Sequence, residues 1–164
     1  MRRLTLRVSI AVLGLLLVAA SADAQRRRPR FNLGGDRPRF GGHIGYAFDG
    51  VDKVLLGAQA SFPVVPRLSF YPSFDYYFVN VGSRWGLNFD LKFRPPTPYG
   101  FWYVGGGLNI LHASAGGVGG TNTNLNLFTG LEGRRGPIRP FAEARLLVGD
   151  GSLFQIGGGL SFTL

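Results

Sequence analysis

The feature that most constrains this chain is an alternation of residue character with a period of two, sustained from Phe40 to Leu164. No stretch of that region keeps apolar residues at i, i+3, i+4 and i+7, so the pattern reads as strands with one apolar and one polar face. Clusters of Gly and Pro divide it into eight strands: 40–48, 54–62, 68–78, 85–94, 101–111, 123–134, 138–148 and 153 to the C-terminus. The fourth is the clearest. Trp85, Leu87, Phe89, Leu91 and Phe93 lie on one face, and Gly86, Asn88, Asp90, Lys92 and Arg94 on the other. The seventh is the least regular, because Phe141 and Leu147 fall on its polar face.

Residue size indicates which face points inward. The polar face is mostly Gly, Ser and Asn with a few charges of both signs, whereas the apolar face carries large aromatics. A soluble barrel with this alternation would turn its apolar face to the core. Small residues fit the inside of a narrow barrel and large apolar ones fit a lipid-facing exterior, so we read the reverse. Aromatics also gather near strand ends, as an interfacial girdle requires: Phe40, Phe48, Phe62, Phe78, Trp85, Phe93, Trp102, Phe154 and Phe162. Closure into a barrel pairs every backbone donor that would otherwise face hydrocarbon. The expected fold is therefore all-β, an eight-stranded antiparallel up-and-down transmembrane β-barrel over residues 40–164.

The N-terminus carries a different signal. Arg2, Arg3 and Arg7 precede an apolar run from Val8 to Ala20, and the run ends in the small-residue pattern Ala22-Asp23-Ala24. That run is too short to cross a bilayer as a helix, and the order of regions is that of an export signal, so residues 1–24 are expected to be removed before Gln25. Residues 25–39 form an arm rich in Arg, Pro and Gly, which cannot bury enough apolar surface to fold alone. The net charge of +9 would suggest nucleic acid, but most of it resides in the signal and the arm. No nucleic-acid partner is expected. Arg26, Arg27, Arg28 and Arg30 fit a contact with anionic lipid or cell-wall polymer instead. The absence of Cys excludes disulfides, thiolate metal sites and a lipid-anchoring cysteine.

The connections are asymmetric. Eight antiparallel strands place both termini at one end, read as periplasmic, with connections at 63–67, 94–100 and 135–137. Seven of the 10 Pro lie in or beside these, together with Arg67, Arg94, Arg134, Arg135 and Arg139. The opposite connections, 49–53, 79–84, 112–121 and 149–152, contain no Pro. The 112–121 segment, HASAGGVGGT, reads as a flexible Gly-rich loop that lacks the Lys-Ser/Thr and the helix of a phosphate cradle.

An export signal, eight alternating strands and a chain that ends in a strand resemble the small OmpA/OmpX-like family of outer-membrane β-barrels. Gly159, Phe162 and Leu164 match the spacing of that family's C-terminal assembly signal, with Leu164 in place of the usual aromatic residue. The resemblance implies insertion by the outer-membrane assembly machinery and contact with outer-membrane lipids, in a Gram-negative-type bacterium. It implies no single activity and no cofactor.

Charges on the inward face must be paired if buried. They are Asp75, Asp90, Lys92, Glu132, Arg134, Arg139, Glu143 and Arg145, with Glu132 expected opposite Arg139 across the 135–137 turn. An eight-stranded barrel is just wide enough to be filled by side chains, so these residues read as a polar network plugging the lumen. The alternative is a narrow porin-like path for ions or small solutes. A third reading is a lipid A-modifying enzyme. His112-Ala113-Ser114 resembles the His-x-Ser motif of outer-membrane lipid A deacylases, but here it sits at a loop start, with the next acid, Glu132, near the opposite end. No catalytic residue is therefore assigned, and His43, a lone inward histidine, is not a metal site. The expected role is a non-enzymatic one in envelope structure.

Overall fold

The computed structural model describes residues 37–48, 53–96, 101–133, 135–149 and 152–163. The 1–24 signal, Arg26 to Arg30 of the arm, Arg134 and Leu164 lie outside the described residues. Eight strands follow in chain order: β1 (Arg39–Phe48), β2 (Lys53–Val65), β3 (Leu68–Tyr77), β4 (Ser83–Phe93), β5 (Trp102–Ala115), β6 (Val118–Glu132), β7 (Ile138–Val148) and β8 (Leu153–Thr163). They form a closed barrel in sequence order. β1 closes it against β8 from Arg39↔Thr163 to Phe48↔Phe154, antiparallel like every other pair. Closure leaves no long sheet edge to satisfy, which is what a hydrocarbon solvent demands of a β-structure.

The barrel is inverted relative to a water-soluble one. Ser69, Ser73, Asp75, Asn88, Asp90, Lys92, Asn109, Asn126 and Arg145 are buried, while Ile44, Leu56, Phe89, Leu91, Leu108, Leu125, Leu127 and Leu160 are exposed around the outside. The exterior thus carries a continuous apolar belt that water would not tolerate and a bilayer favours. Phe40, Phe48, Phe62, Phe78, Phe93, Trp102, Phe154 and Phe162 all project outward and exposed. Trp85 is half-buried, stacked between Phe74 and His112.

Several boundaries differ from those read in the sequence. The segment 112–121 is not a loop. β5 and β6 continue through it as a paired hairpin, from Leu111↔Asn122 to Ala115↔Val118. Only Gly116 and Gly117 turn, with φ of 59° and 83°. Positive φ at both central residues is the two-residue turn whose twist suits a hairpin, and Gly adopts it without steric cost. The pattern fails here because this hairpin rises past its neighbour. β6 pairs with β7 only from Leu125↔Val148, so its tip packs on neither lipid nor core. At the other end Arg39 belongs to the barrel rather than the arm, as the first and buried residue of β1.

The interior is also less uniform than small residues alone. Tyr71, Tyr77, Tyr103, Phe128 and Phe141 all bury their rings inside. Two are accommodated by glycine directly across the ladder. Phe128 lies opposite Gly105, and Tyr103 opposite Gly130. A Cβ at Gly105 would stand 2.2 Å from Phe128 Cζ, and one at Gly130 would stand 2.4 Å from Tyr103 Cζ. Gly105 and Gly130 are thus seats for cross-strand rings, and that pairing became visible only with the register.

Candidate functional site: the barrel lumen

Three layers fill the lumen. The first, at the end that carries both termini, is built around Glu132, the last residue of β6. Its Oε2 accepts hydrogen bonds from Lys92 Nζ at 2.8 Å and from Arg94 Nη2 at 2.9 Å. Its Oε1 accepts from Ser161 Oγ at 3.2 Å and lies 3.6 Å from Arg39 Nε. Arg39 is held in turn by Ser161 Oγ, Thr163 Oγ1 and the Pro137 carbonyl. Lys92 Nζ also lies 3.8 Å and 4.6 Å from the ring centres of Tyr103 and Tyr71, two of the rings seated in this layer. One carboxylate therefore gathers three cations from β1, β4 and the residue after β4.

This corrects the expected pairing of Glu132 with Arg139. The β6–β7 register places Glu132 opposite Phe141. The connection closes through Gly133 N donating to the Pro140 carbonyl and passes through Gly136 at φ 91°. Its centre lies one residue further along than the spacing implied, which moves Arg139 two positions out of register. Arg139 pairs with Ser161 of β8, and its carbonyl accepts from Ser161 Oγ at 3.3 Å.

The middle layer joins the remaining charges through asparagines. Arg145 Nη1 is 3.1 Å from Asp90 Oδ2, and Arg145 Nη2 is 2.8 Å from Glu143 Oε1. Tyr103 donates its hydroxyl to Glu143 Oε2 at 3.0 Å. Asn126 Nδ2 donates to both oxygens of Asp90, at 2.9 Å and 3.0 Å. A chain of amides then crosses the barrel. Asn124 donates to Asn109 at 3.0 Å, Asn109 to Asn88 at 2.8 Å, and Asn88 to Asp75 at 2.8 Å. His43 Nε2 meets the other oxygen of Asp75 at 2.8 Å. Charge counting alone missed Asn88, Asn109, Asn124 and Asn126. Asn124 and Asn126 occupy consecutive inward positions on β6, and Asn88 and Asn109 lie on the inward faces of β4 and β5.

The third layer, at the far end, is apolar. Ala47, Leu55, Tyr77, Leu147 and Leu153 are fully buried together, with Val79 and Leu111 packed against them. They come from strand ends on β1, β2, β3, β7 and β8, so no single strand reveals the layer. Gln155 donates to the Tyr77 hydroxyl beneath it.

These layers leave little free volume. A cavity of about 20 Å³ touches His43, Gln59, Asp75, Glu143 and Arg145, and another of about 10 Å³ touches Arg39, Lys92 and Glu132. The first has room for about one water molecule and neither has room for a solute. A wider concavity, about 810 Å³, lies on the apolar exterior over Ala142 and Ala144, between Ile156 and Trp102, where lipid chains would fill it. Among the described residues no group of three or more metal-ligating side chains assembles.

His112 and Ser114 are on a strand, both facing outward, and each bonds elsewhere. His112 Nδ1 is 2.9 Å from Thr121 Oγ1, with its ring stacked on Trp85 at 5.2 Å. Ser114 Oγ is 2.9 Å from Ser83 Oγ. The pair is held as part of the hairpin rather than as a nucleophile with its base. In the proposed assembly signal, Phe162 faces outward, and Gly159 faces inward where a Cβ would stand 2.0 Å from the Gly42 carbonyl oxygen.

No protein-family model matches the sequence, and no curated protein does. Solved structures do share the fold. The N-terminal β-barrel domain of Pseudomonas aeruginosa OprF superimposes with a TM-score of 0.59 at 18% identity, covering 77% of this chain and 97% of that one. Neisserial surface protein A (NspA) superimposes with a TM-score of 0.59 at 13% identity, covering 77% and 96%. At these identities the likeness shows the fold alone, a closed eight-stranded antiparallel barrel.

Proposed function

We propose that this chain is an integral barrel of the outer membrane of a Gram-negative-type bacterium, non-enzymatic and closed to solutes, with a role in envelope structure. The observation that carries the reading is the sealed lumen: a hub of charges, a network of amides and an apolar layer in series, inside an apolar exterior. A pore needs a connected aqueous path, whereas the two cavities beside these charges are separate and hold about 20 Å³ and 10 Å³, room for about one water molecule at most. In this reading the outer-membrane assembly machinery inserts the barrel, outer-membrane lipids solvate the belt, and Arg26 to Arg30 approach anionic lipid or cell wall. The bonds that hold His112 and Ser114 count against the lipid A-modifying reading.

Three measurements test it. The purified protein should migrate differently on detergent gels before and after heating and should resist carbonate extraction from membranes. Recovery as a soluble periplasmic protein would overturn membrane insertion. In planar bilayers the folded protein should be silent. Stepwise conductance that changes in Asp90→Asn or Lys92→Gln would establish the narrow channel instead.

A further inference from the structure

The middle layer of the lumen is a ring of bonded side chains with one gap. Arg145 Nη1 lies 3.1 Å from Asp90 Oδ2, and Asn126 Nδ2 donates to Asp90 and, at 3.2 Å, to Asn88 Oδ1. Asn88 Nδ2 donates to Asp75 Oδ2 at 2.8 Å, and Asp75 Oδ1 meets His43 Nε2 at 2.8 Å. These residues come from β7, β4, β6, β3 and β1. Only the step from His43 back to Arg145 is missing, where β8 stands between β1 and β7. The two sides of that gap are also where polar atoms are left over. Among the described residues, His43 Nδ1 and Arg145 Nη1 are buried without a hydrogen-bond partner. A buried polar group left so costs its full desolvation with no return.

Both side chains line the same cavity, the one of about 20 Å³, together with Asp75, Glu143, Gln59 and Gln155. A water molecule needs about 10–15 Å³ and two to four polar partners, and this cavity offers both. The charges of the wall select the occupant. A cation would lie against the guanidinium of Arg145, and an anion against the carboxylates of Asp75 and Glu143. A neutral molecule that both donates and accepts suits all of them. The proton positions follow from the ring. Asp75 Oδ2 accepts from Asn88 and its Oδ1 accepts from His43, so Nε2 carries the imidazole proton and Nδ1 presents a lone pair. Arg145 has only N–H groups to offer. A direct bond between donor and acceptor is replaced here by one molecule that joins them.

We propose that this cavity is the site of one buried water molecule, which accepts from Arg145 Nη1 and donates to His43 Nδ1. The water closes the ring across β8 and fixes the imidazole in the tautomer that donates to Asp75. It is a component of the plug rather than part of a water column, because the second small cavity, beside Arg39 and Glu132, is separate from it. In that respect the proposal rests on the closed-lumen reading; it holds whichever membrane surrounds the barrel.

The test is a crystal structure of the detergent-folded protein at a resolution that orders internal waters. One density peak should stand at hydrogen-bond distance, about 2.7–3.2 Å, from both Arg145 Nη1 and His43 Nδ1. Nitrogen NMR of the imidazoles in micelles at neutral pH gives an independent readout. The chain has two histidines, so His112→Ala leaves His43 as the sole signal. Its Nε2 should carry the proton, and its Nδ1 should be bare, with a resonance moved toward that of a nitrogen accepting a hydrogen bond. In His43→Phe the acceptor is gone and the density peak should be lost. Heat-modifiable migration checks folding, and the first two measurements decide if His43→Phe does not fold. An empty cavity, a peak coordinated as a metal ion, a proton on Nδ1, or a peak that persists in His43→Phe would overturn the proposal while leaving the sealed lumen standing. A continuous column of peaks joining the two cavities to bulk water, with conductance in planar bilayers, would overturn the closed-lumen reading itself and the isolated water with it.

Discussion

Replacing Glu132 by Gln tests the hub directly. The carboxylate holds Lys92 at 2.8 Å, Arg94 at 2.9 Å and Arg39 at 3.6 Å. At an effective dielectric of about 20, a unit pair at the Lys92 distance attracts by about 6 kcal/mol before desolvation is counted. Most of that attraction is offset by the cost of burying the ions, so the intact pair adds little net stability. Removing one partner is different. The amide retains an acceptor oxygen but no charge, and three cations are left facing one another in a site from which water is largely excluded. The expected loss is about 3–5 kcal/mol, the range for a buried pair broken from one side. Equilibrium urea unfolding in micelles, followed by the fluorescence of Trp85 and Trp102, measures it. The double variant Glu132→Gln, Lys92→Met should cost less than the sum of the single changes by about 2 kcal/mol, because it removes one of the stranded cations, and contacting residues couple by about 0.5–3 kcal/mol. A loss below about 1 kcal/mol, the value of an exposed pair, would refute the buried hub, as would strict additivity.

Other consequences follow from particular contacts. Gly130→Ala drives a methyl into the Tyr103 ring from 2.4 Å and should destabilise by about 1–3 kcal/mol in the same unfolding assay. Gly117→Val forces a β-branched residue to φ 83°, costing about 1–2 kcal/mol at the hairpin tip, and should speed hydrogen exchange of residues 111–122 while leaving the rest of the barrel protected. His112→Ala should leave lipid A acyl chains unchanged by mass spectrometry of expressing cells, and a difference would revive the enzymatic reading. N-terminal sequencing of the exported protein should begin at Gln25, and retention of Met1 would refute the export signal.

Much of the barrel was legible in the sequence because a strand ties parity to face. Once Phe89 points out, Asn88 and Asp90 must point in, whatever their neighbours are. That rule placed the inward charges and outward aromatics without knowledge of which strands touch. It could not say that Glu132 meets Arg39, Lys92 and Arg94, because those contacts join positions far apart in the chain and depend on register. The connection around Gly136 moved Glu132 from Arg139 to Phe141 while preserving every face, since a two-residue shift conserves parity. The asparagine chain stayed hidden for a related reason. Each Asn is an ordinary polar residue on its own strand and becomes a network only when three strands align.

The sequence by itself determined the strand number, the face of the residues within the alternating segments and the inversion of polarity, because these follow from period two and side-chain size. Only the tertiary structure decided which charges share a carboxylate, where the apolar seal forms and that HASAGGVGGT stands as a paired hairpin rather than a loop. The seal draws one or two residues from each of several strand ends, and the hairpin tip has no buried face to imprint a pattern. Both depend on how far each strand rises around the closed barrel, a stagger that interstrand hydrogen bonding fixes and that local alternation does not encode.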